Sequence, residues 1–399
     1  MLPLIRFPIA ALAVLLLVAG TAFAKPAVVG VRIGVHPDST RVVLDLTANL
    51  DYRVFTLPTP YRVVIDLPEV EWRVTTANLA PGRGLVQRFR YGLFRPGTSR
   101  LVVDVGAPVS VRKVFMLRPT ADFGYRLVLD LAAVAAGEFR RMGQPPSAKP
   151  PSAPGATAGG GVSKRGGKPV IVIDPGHGGV DPGTTSVGGV YEKHITLAAA
   201  RELKRQLDAT GRYTVVMTRR RDVFISLARR VEIAREAGAR LFISLHADAI
   251  ADRAVRGVSV YTLSENASDA EAEALAAKEN TSDIIAGVDL SLAAYDPDVA
   301  SILIDLAQRD TTNASVDFTK FLTPELGKAA RLLRKTHRFA GFRVLKAPDV
   351  PSVLIELGYL SNRRDERMLR DPDGRKKLMQ AVVRATNRYF TAKTSAERS

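Results

Sequence analysis

A Pro- and Gly-rich interval splits this chain into two halves with different hydrophobic periods, and a single packed domain does not span such a break. Pro145-Pro-Ser-Ala-Lys-Pro-Pro-Ser-Ala-Pro154 is stiff and extended, and Gly159-Gly-Gly161 is flexible. We take 136–168 as the linker; it carries six basic residues and one acid, Glu138. At 399 residues the chain is long enough for a domain on either side.

The front half, 25–135, repeats one pattern. Arg41-Val-Val-Leu-Asp-Leu46, Arg62-Val-Val-Ile-Asp-Leu67, Arg100-Leu-Val-Val-Asp-Val105 and Arg126-Leu-Val-Leu-Asp-Leu131 form two copies of a paired unit. Each copy adds a further run, Arg53-Val-Phe-Thr-Leu57 or Lys113-Val-Phe-Met-Leu117. In an extended strand the Arg and Asp of each segment share one face, and the three apolar residues at alternate positions between and after them take the other. Short β-branched runs between Pro, Gly and Asp turns predict an all-β sandwich. The repeated Arg and Asp read as ion pairs at sheet edges or on the outward face, and His36 beside Pro37 as a solvent-facing turn residue. With no acid pair, histidine cluster or glycine-rich loop, this half reads as a binding module.

The back half, 169–392, alternates strands and helices. Strands are expected at Ile171–Asp174, Thr214–Thr218, Leu241–His246, Val258–Leu263 and Ser352–Glu356. Helices are expected at Glu192–Leu207, from a Ser226 cap through Ala237, at Glu325–Phe339 and at 372–391, before a tail of 393–399. This order predicts an α/β domain with a mostly parallel sheet. Residues 264–316 interrupt it with helical patterns alone. Ser268-Asp-Ala-Glu271 reads as a capping box, and Val299, Ile302, Leu303 and Leu306 as an apolar stripe. An insertion of this length implies a function.

The first residues, 1–24, read as an export signal: Arg6, an apolar core from Ile9 to Val18, and Ala22-Phe23-Ala24 as the cleavage site. The membrane then meets the chain only transiently, through this signal; the alternative is an uncleaved anchor. Without cysteine there is no disulfide, thiolate metal site, thiol catalysis or lipid anchor on cysteine. The net charge of +17 favours a polyanionic neighbour, although a base composition that favours Arg accounts for it equally well. Charge alone supports nucleic acid as that neighbour, and with no aromatic stacking platform we expect none.

Chemistry concentrates at the ends of the back-half strands. Ile171-Val-Ile-Asp-Pro-Gly-His-Gly-Gly179 runs a buried strand into a loop bearing His177. Glu192 opens the next helix, and His246 and Glu356 end two further strands. In an open α/β sheet, sites form beyond the carboxyl ends of the strands. Two imidazoles and a carboxylate with a vacant fourth position suit catalytic zinc, and a second carboxylate then serves as base. Asp174 and Asp181 are further candidates, with Asp174 better placed to orient a neighbour. His194 points away from Glu192 on a helix, and His337 reads as a solvated charge on the 325–339 helix.

These residues carry a resemblance. Asp174-Pro-Gly-His-Gly-Gly179, Glu192-Lys193, Thr218-Arg219, Ser244-Leu-His-Ala-Asp248 and Ile355-Glu-Leu-Gly-Tyr-Leu-Ser-Asn362 resemble the zinc-dependent N-acetylmuramoyl-L-alanine amidases. The front half resembles the AMIN module, and the order of parts is similar to the periplasmic division amidases. The resemblance implies Zn2+ on His177, Glu192 and His246, Glu356 as the catalytic carboxylate, and peptidoglycan as substrate in the periplasm. It also implies that 264–316 is a regulatory segment whose helix covers the cleft until an activator, a LytM-domain protein, displaces it. A carboxylate from that segment then occupies the open metal position. Glu265, Glu271, Glu273 and Glu279 are candidates, and Glu265 is preferred as nearest the strand leaving the site. The rival readings are a zinc peptidase acting on wall cross-links and a non-catalytic wall-binding protein.

Overall fold

The computed structural model describes residues 25–74, 81–142, 167–288 and 301–396. The export signal, both linker runs, and the stripe Val299, Ile302, Leu303 and Leu306 lie outside the described residues and side chains.

The front half is a sandwich of two sheets. Its strands are β1 (Ala27–His36), β2 (Ser39–Leu46), β3 (Arg53–Leu57), β4 (Arg62–Pro68), β5 (Glu71–Trp72), β6 (Val86–Arg95), β7 (Thr98–Val105), β8 (Val109–Leu117) and β9 (Tyr125–Ala133). One sheet has the order β5-β1-β2-β9-β8 and the other β3-β4-β7-β6. Each sequence copy thus gives one repeat strand to each sheet, and the two sheets are related by a pseudo-twofold. Val42, Leu44, Ile65, Leu101, Val103 and Leu129 fill the space between them. Each such side chain contributes about 1.5–3 kcal/mol by leaving water.

The Arg and Asp of the repeat are not at the edges. They pair across the central strands, Arg41 with Asp130 at 2.7 Å and Arg100 with Asp66 at 2.6 Å. Antiparallel register sets Arg directly opposite Asp, so the pairing runs between copies. His36 is exposed at the end of β1, as its turn position implies. The interval read as linker begins as a helix, α1 (Ala136–Met142), whose Phe139 is buried edge-on against Tyr61. Its apolar face belongs to the β module.

The back half holds β10 (Val170–Pro175), α2 (Glu192–Ala209), β11 (Thr214–Met217), α3 (Leu227–Glu236), β12 (Leu241–His246), β13 (Val258–Leu263), α4 (Ala270–Glu279), α5 (Ser282–Ile285), α6 (Ser301–Ala329), β14 (Leu332–Ala340), β15 (Ser352–Glu356), α7 (Arg363–Arg370) and α8 (Pro372–Ala396). The sheet order is β11-β10-β12-β15-β13-β14, and only the β13–β15 pairing is antiparallel. α2, α6 and α8 cover one face through Leu203, Leu322 and Val382, while Leu227 of α3 and Leu275 of α4 join the core on the other. Among the described residues, no helix is long and apolar enough to cross a membrane.

Several expected elements shift. The helix expected at 325–339 is instead the end of α6 followed by β14. The run Leu-Leu-Arg-Lys-Thr-His-Arg-Phe-Ala has no strong period, and pairing with β13 decides its state. Its charges suit an edge strand. His337 accordingly lies on that edge, half-buried, with Nε2 3.0 Å from Thr262 Oγ1, rather than as a solvated helix charge. The cap of α4 is Asp269, which accepts from Ala272 N, and not Ser268. α6 runs beyond 316 to Ala329, and α8 runs through the expected tail to Ala396.

On the α6–α8 contact, Glu325 accepts from Arg384 and Lys328 at 2.8 Å and from Arg388 at 3.0 Å. These cations push its carboxyl down from 4.5 to about 2. The folded pKa is depressed, so this stabilisation is complete above about pH 4.5 and is lost as pH falls toward 2. A Glu325→Gln variant is expected to show a shallower fall of Tm between pH 5 and 2 than the parent, on the order of that one linkage. Parallel profiles would contradict it.

The two halves touch. The face of β4 and β7 turned away from the sandwich core is also buried, so these strands are covered on both sides. Phe94 stacks on Phe224 with ring centroids 5.8 Å apart, and Phe224 N donates to Leu93 O. Arg62 donates to Ile284 O, and Arg100 to Ala286 O and Gly287 O, so the β module grips the carbonyl end of α5.

Candidate metal centre

The site begins with a buried brace. Asp174, at the end of β10, accepts from Thr218 Oγ1 at 2.5 Å, Ser244 Oγ at 2.8 Å and Arg230 at 2.8 Å. Burial works to raise its pKa, but Arg230 and the two hydroxyls outweigh that and hold it low. Arg219 and Arg230 also donate to the carbonyls of Pro175, Gly176 and His177. Held by these bonds, His177 adopts φ 59°, a conformation that a side chain with a Cβ rarely takes. A Cβ at Gly176 would stand 2.4 Å from the His246 ring, so glycine lets that ring pack against the loop.

His177 Nδ1 lies 2.9 Å from Asp181 Oδ2, which turns Nε2 toward the centre of the site. Glu192, first residue of α2, is wholly buried; its Oε2 accepts from Thr184 N and its Oε1 from Ala247 N. That Oε1 is 3.2 Å from His177 Nε2 and 3.3 Å from His246 Nδ1. The β12–β15 register sets His246 opposite Glu356. Glu356 Oε2 accepts from Asp248 N at 3.0 Å, while its Oε1 is buried without a hydrogen-bond partner. The four residues named from strand and helix ends therefore meet in one place.

The interrupting segment supplies a fifth. Glu279 Oε2, at the end of α4, is 3.3 Å from His177 Nε2 and 3.2 Å from His246 Nδ1. Among the described residues, His177, His246 and Glu279 each bring a ligand atom within 4.8 Å of the others. Glu265, the carboxylate preferred from the sequence, is exposed on the loop after β13, as are Glu271 and Glu273 on α4. Proximity in sequence to the departing strand misled that choice, because α4 folds back and presents its C-terminal end to the site. Neighbours of Glu279 make the seating firm. Lys278 Nζ bonds Asp248 Oδ1 and Thr184 Oγ1, Ser282 Oγ bonds Asp181 Oδ2, and Asp283 accepts from Leu227 N.

The electrostatics call for a cation. Burial alone would lower the His177 pKa, yet Asp181, Glu192 and Glu279 raise it well above 6.5. His246 is likewise pushed up to about 10, burial being outweighed by Glu279 and Glu192. For Glu356 burial dominates, Asp248, Glu192 and Glu279 add to it, and its carboxyl rises well above 4.5. Among the described residues, His177 Nε2 and His246 Nδ1, both buried, have no hydrogen-bond partner. Two orphaned imidazole nitrogens facing carboxylate oxygens fit zinc in donor type and charge.

The other sequence candidates fall outside. His194 is half-exposed, 3.6 Å from Asp222, and Asp174 contacts its brace and no imidazole. Asp181 orients His177, which its spacing of four residues from that histidine could have signalled. Glu279, Lys278 and Ser282 carried no such signal, since tertiary docking selects the face of α4 that meets the site.

Comparisons with known proteins bear on the family of the chain. The family described as N-acetylmuramoyl-L-alanine amidase matches residues 171–388, and the AMIN domain matches 30–131. The chain is 36% identical over 383 residues to the N-acetylmuramoyl-L-alanine amidase AmiC of Neisseria meningitidis serogroup B, covering 92% of this chain and 90% of that protein. It is 34% identical over 378 residues to AmiC of Escherichia coli O6:H1, covering 91% and 89%. A crystal structure of an N-acetylmuramoyl-L-alanine amidase from Clostridium difficile 630 aligns with 57% of this chain and 98% of its own, at 22% identity and a TM-score of 0.43. The chain belongs to the N-acetylmuramoyl-L-alanine amidase family and carries an N-terminal AMIN domain.

Proposed function

We propose that this protein is a zinc-dependent peptidoglycan amidase that cuts between the muramic lactyl group and L-alanine, held closed by its own helical insertion. The observation that carries the reading is the meeting of His177 Nε2, His246 Nδ1 and Glu192 Oε1 beside the unpaired carboxyl oxygen of Glu356, in a chain of this family. His177, Glu192 and His246 hold the metal. When bound, zinc supplies a Lewis acid for the scissile carbonyl and lowers the pKa of water to about 7. Glu356 takes the proton of the attacking water and passes it to the leaving amine, the role its buried, unpaired oxygen suits. The Asp174 brace and Asp181 keep His177 in place throughout.

In the closed form Glu279 occupies the position that substrate or water needs, and Lys278, Ser282, Arg62 and Arg100 fasten the segment that carries it. An activator protein, of the LytM-domain type that the family resemblance implies, would have to pull this segment away. We place the enzyme in the periplasm after signal removal, with the AMIN domain on the wall, acting in daughter-cell separation. The net charge of +17 suits a wall rich in peptide carboxylates.

The test is digestion of purified sacculi by the zinc-loaded protein, with and without Glu279→Ala, read by mass spectrometry. Intact stem peptides and free lactyl ends are expected. Shortened stems would move the activity to a peptidase, and no release by either form would leave only a wall-binding role.

A further inference from the structure

A cavity of about 500 Å³ opens between the loops that follow β12 and β15. Five arginines line it: Arg253 and Arg256 from the loop after β12, Arg331 before β14, and Arg363 and Arg364 at the start of α7. Among the described residues that line it, none is acidic. Of the acids nearest in sequence, exposed Asp252 accepts from Ala254 N, and Asp365 and Glu366 accept mainly from other donors. Asp365 Oδ2 accepts from Gly257 N and Tyr359 N, and Glu366 Oε1 from Ser186 Oγ and Gly188 N. Arg256 Nε is buried without a hydrogen-bond partner, and Asp365 Oδ1 stands 3.6 Å from it. Arg363 and Arg364 also open a helix, where the macrodipole disfavours cations. Positive charge has been gathered here against the helix dipole, and Asp365 beside Arg256 offsets only part of it.

Hydrogen bonds connect the wall of this cavity to the metal centre. Three rungs link the loops after β12 and β15: Leu357 N to His246 O, Leu360 N to Asp248 O, and Ile250 N to Ser361 Oγ. The first rung begins at His246 and beside Glu356; the last ends on Ser361, which lines the cavity. Val187, from the loop leading to Glu192, closes the wall by donating to Leu360 O. A peptide extending from the metal centre advances about 3.3–3.6 Å per residue, a step comparable to the spacing of the rungs along these two loops.

We infer that this arginine cavity binds the free carboxylates of the peptidoglycan stem peptide and so holds the substrate downstream of the scissile amide. The inference rests on the amidase reading above and names the part of the substrate that is recognised. Guanidinium groups match carboxylates in planar, bidentate pairs, which a lysine cannot reproduce. The alternative occupant of such chemistry, an anionic lipid surface, is an outcome of the test.

The full chain carrying Glu356→Gln is titrated with soluble muramoyl tripeptide and with the same ligand after amidation of its carboxyls. Arg363→Ala with Arg364→Ala is expected to weaken the tripeptide about tenfold or more, since charged hydrogen bonds contribute about 1.5–3 kcal/mol each. Amidation should cause the same loss in the parent and none further in the double variant. The corresponding lysine pair keeps the charge of the helix start, controls for folding, and should recover affinity only in part. Unchanged tripeptide affinity overturns the inference, as does equal loss for both ligands. Loss of binding to phosphatidylglycerol vesicles with tripeptide affinity unchanged overturns it in favour of a lipid. Release of stem peptides from sacculi by the open Glu279→Ala chain with Glu356 intact is measured alongside. If that fails, the amidase reading falls; if it succeeds with an unaltered KM in the double-arginine variant, only the cavity assignment falls.

Discussion

Glu356→Gln is expected to reduce hydrolysis of sacculi by about 10²–10⁴-fold, the range a positioned general base contributes, while zinc content stays that of the parent. The substitution keeps the shape of the side chain and its bond from Asp248 N, and it removes the proton-accepting capacity of the buried Oε1. Because Glu356 faces His246 across a strand register and does not hold its nitrogen, metal retention should survive. His246→Ala is the contrasting case, in which metal and activity go together. Metal analysis beside stem-peptide release separates the two. A glutamine variant within a few-fold of the parent would remove Glu356 from the reaction.

Glu279→Ala acts in the opposite direction. Its Oε2 lies within 3.3 Å of both imidazole nitrogens, so it competes with anything that must approach a metal held there. Removing it should raise basal hydrolysis of sacculi about tenfold or more, equivalent to about 1.4 kcal/mol of closure. Arg62→Ala with Arg100→Ala loosens the same segment from its far end and should raise activity by a smaller amount, because Glu279, Lys278 and Ser282 remain seated. If Glu279→Ala instead loses zinc and activity together, Glu279 is a working ligand and the closed-form reading is wrong.

The residues that converge were readable because strand ends and helix starts are set locally. Ile171–Ile173, Leu241–Leu245 and Ser352–Ile355 are short buried runs whose direction dictates where His177, His246 and Glu356 emerge. What was not readable depended on docking. Glu265 and Glu279 are both carboxylates in a helical segment, and only the packing of Leu275 and Ala276 into the second core decides which one turns inward. β14 was read as helix because Leu332 and Leu333 continue the apolar spacing of α6, and the edge of β13 then captures them. The repeated Arg and Asp read as pairs at edges or on the outward face, and only the strand order, which sequence does not give, selects the outward face of the central strands.

The doubling of the β module has a consequence for how many things it can hold at once. The same ladder of charges occurs twice, and one copy is spent: Arg100 lies under the α5 segment, its side chain 6% exposed. The pseudo-equivalent Arg41, on the opposite sheet, keeps 42% of its side chain in water. A single-copy module would have to release the catalytic half before offering that surface to anything else. This one has a spare.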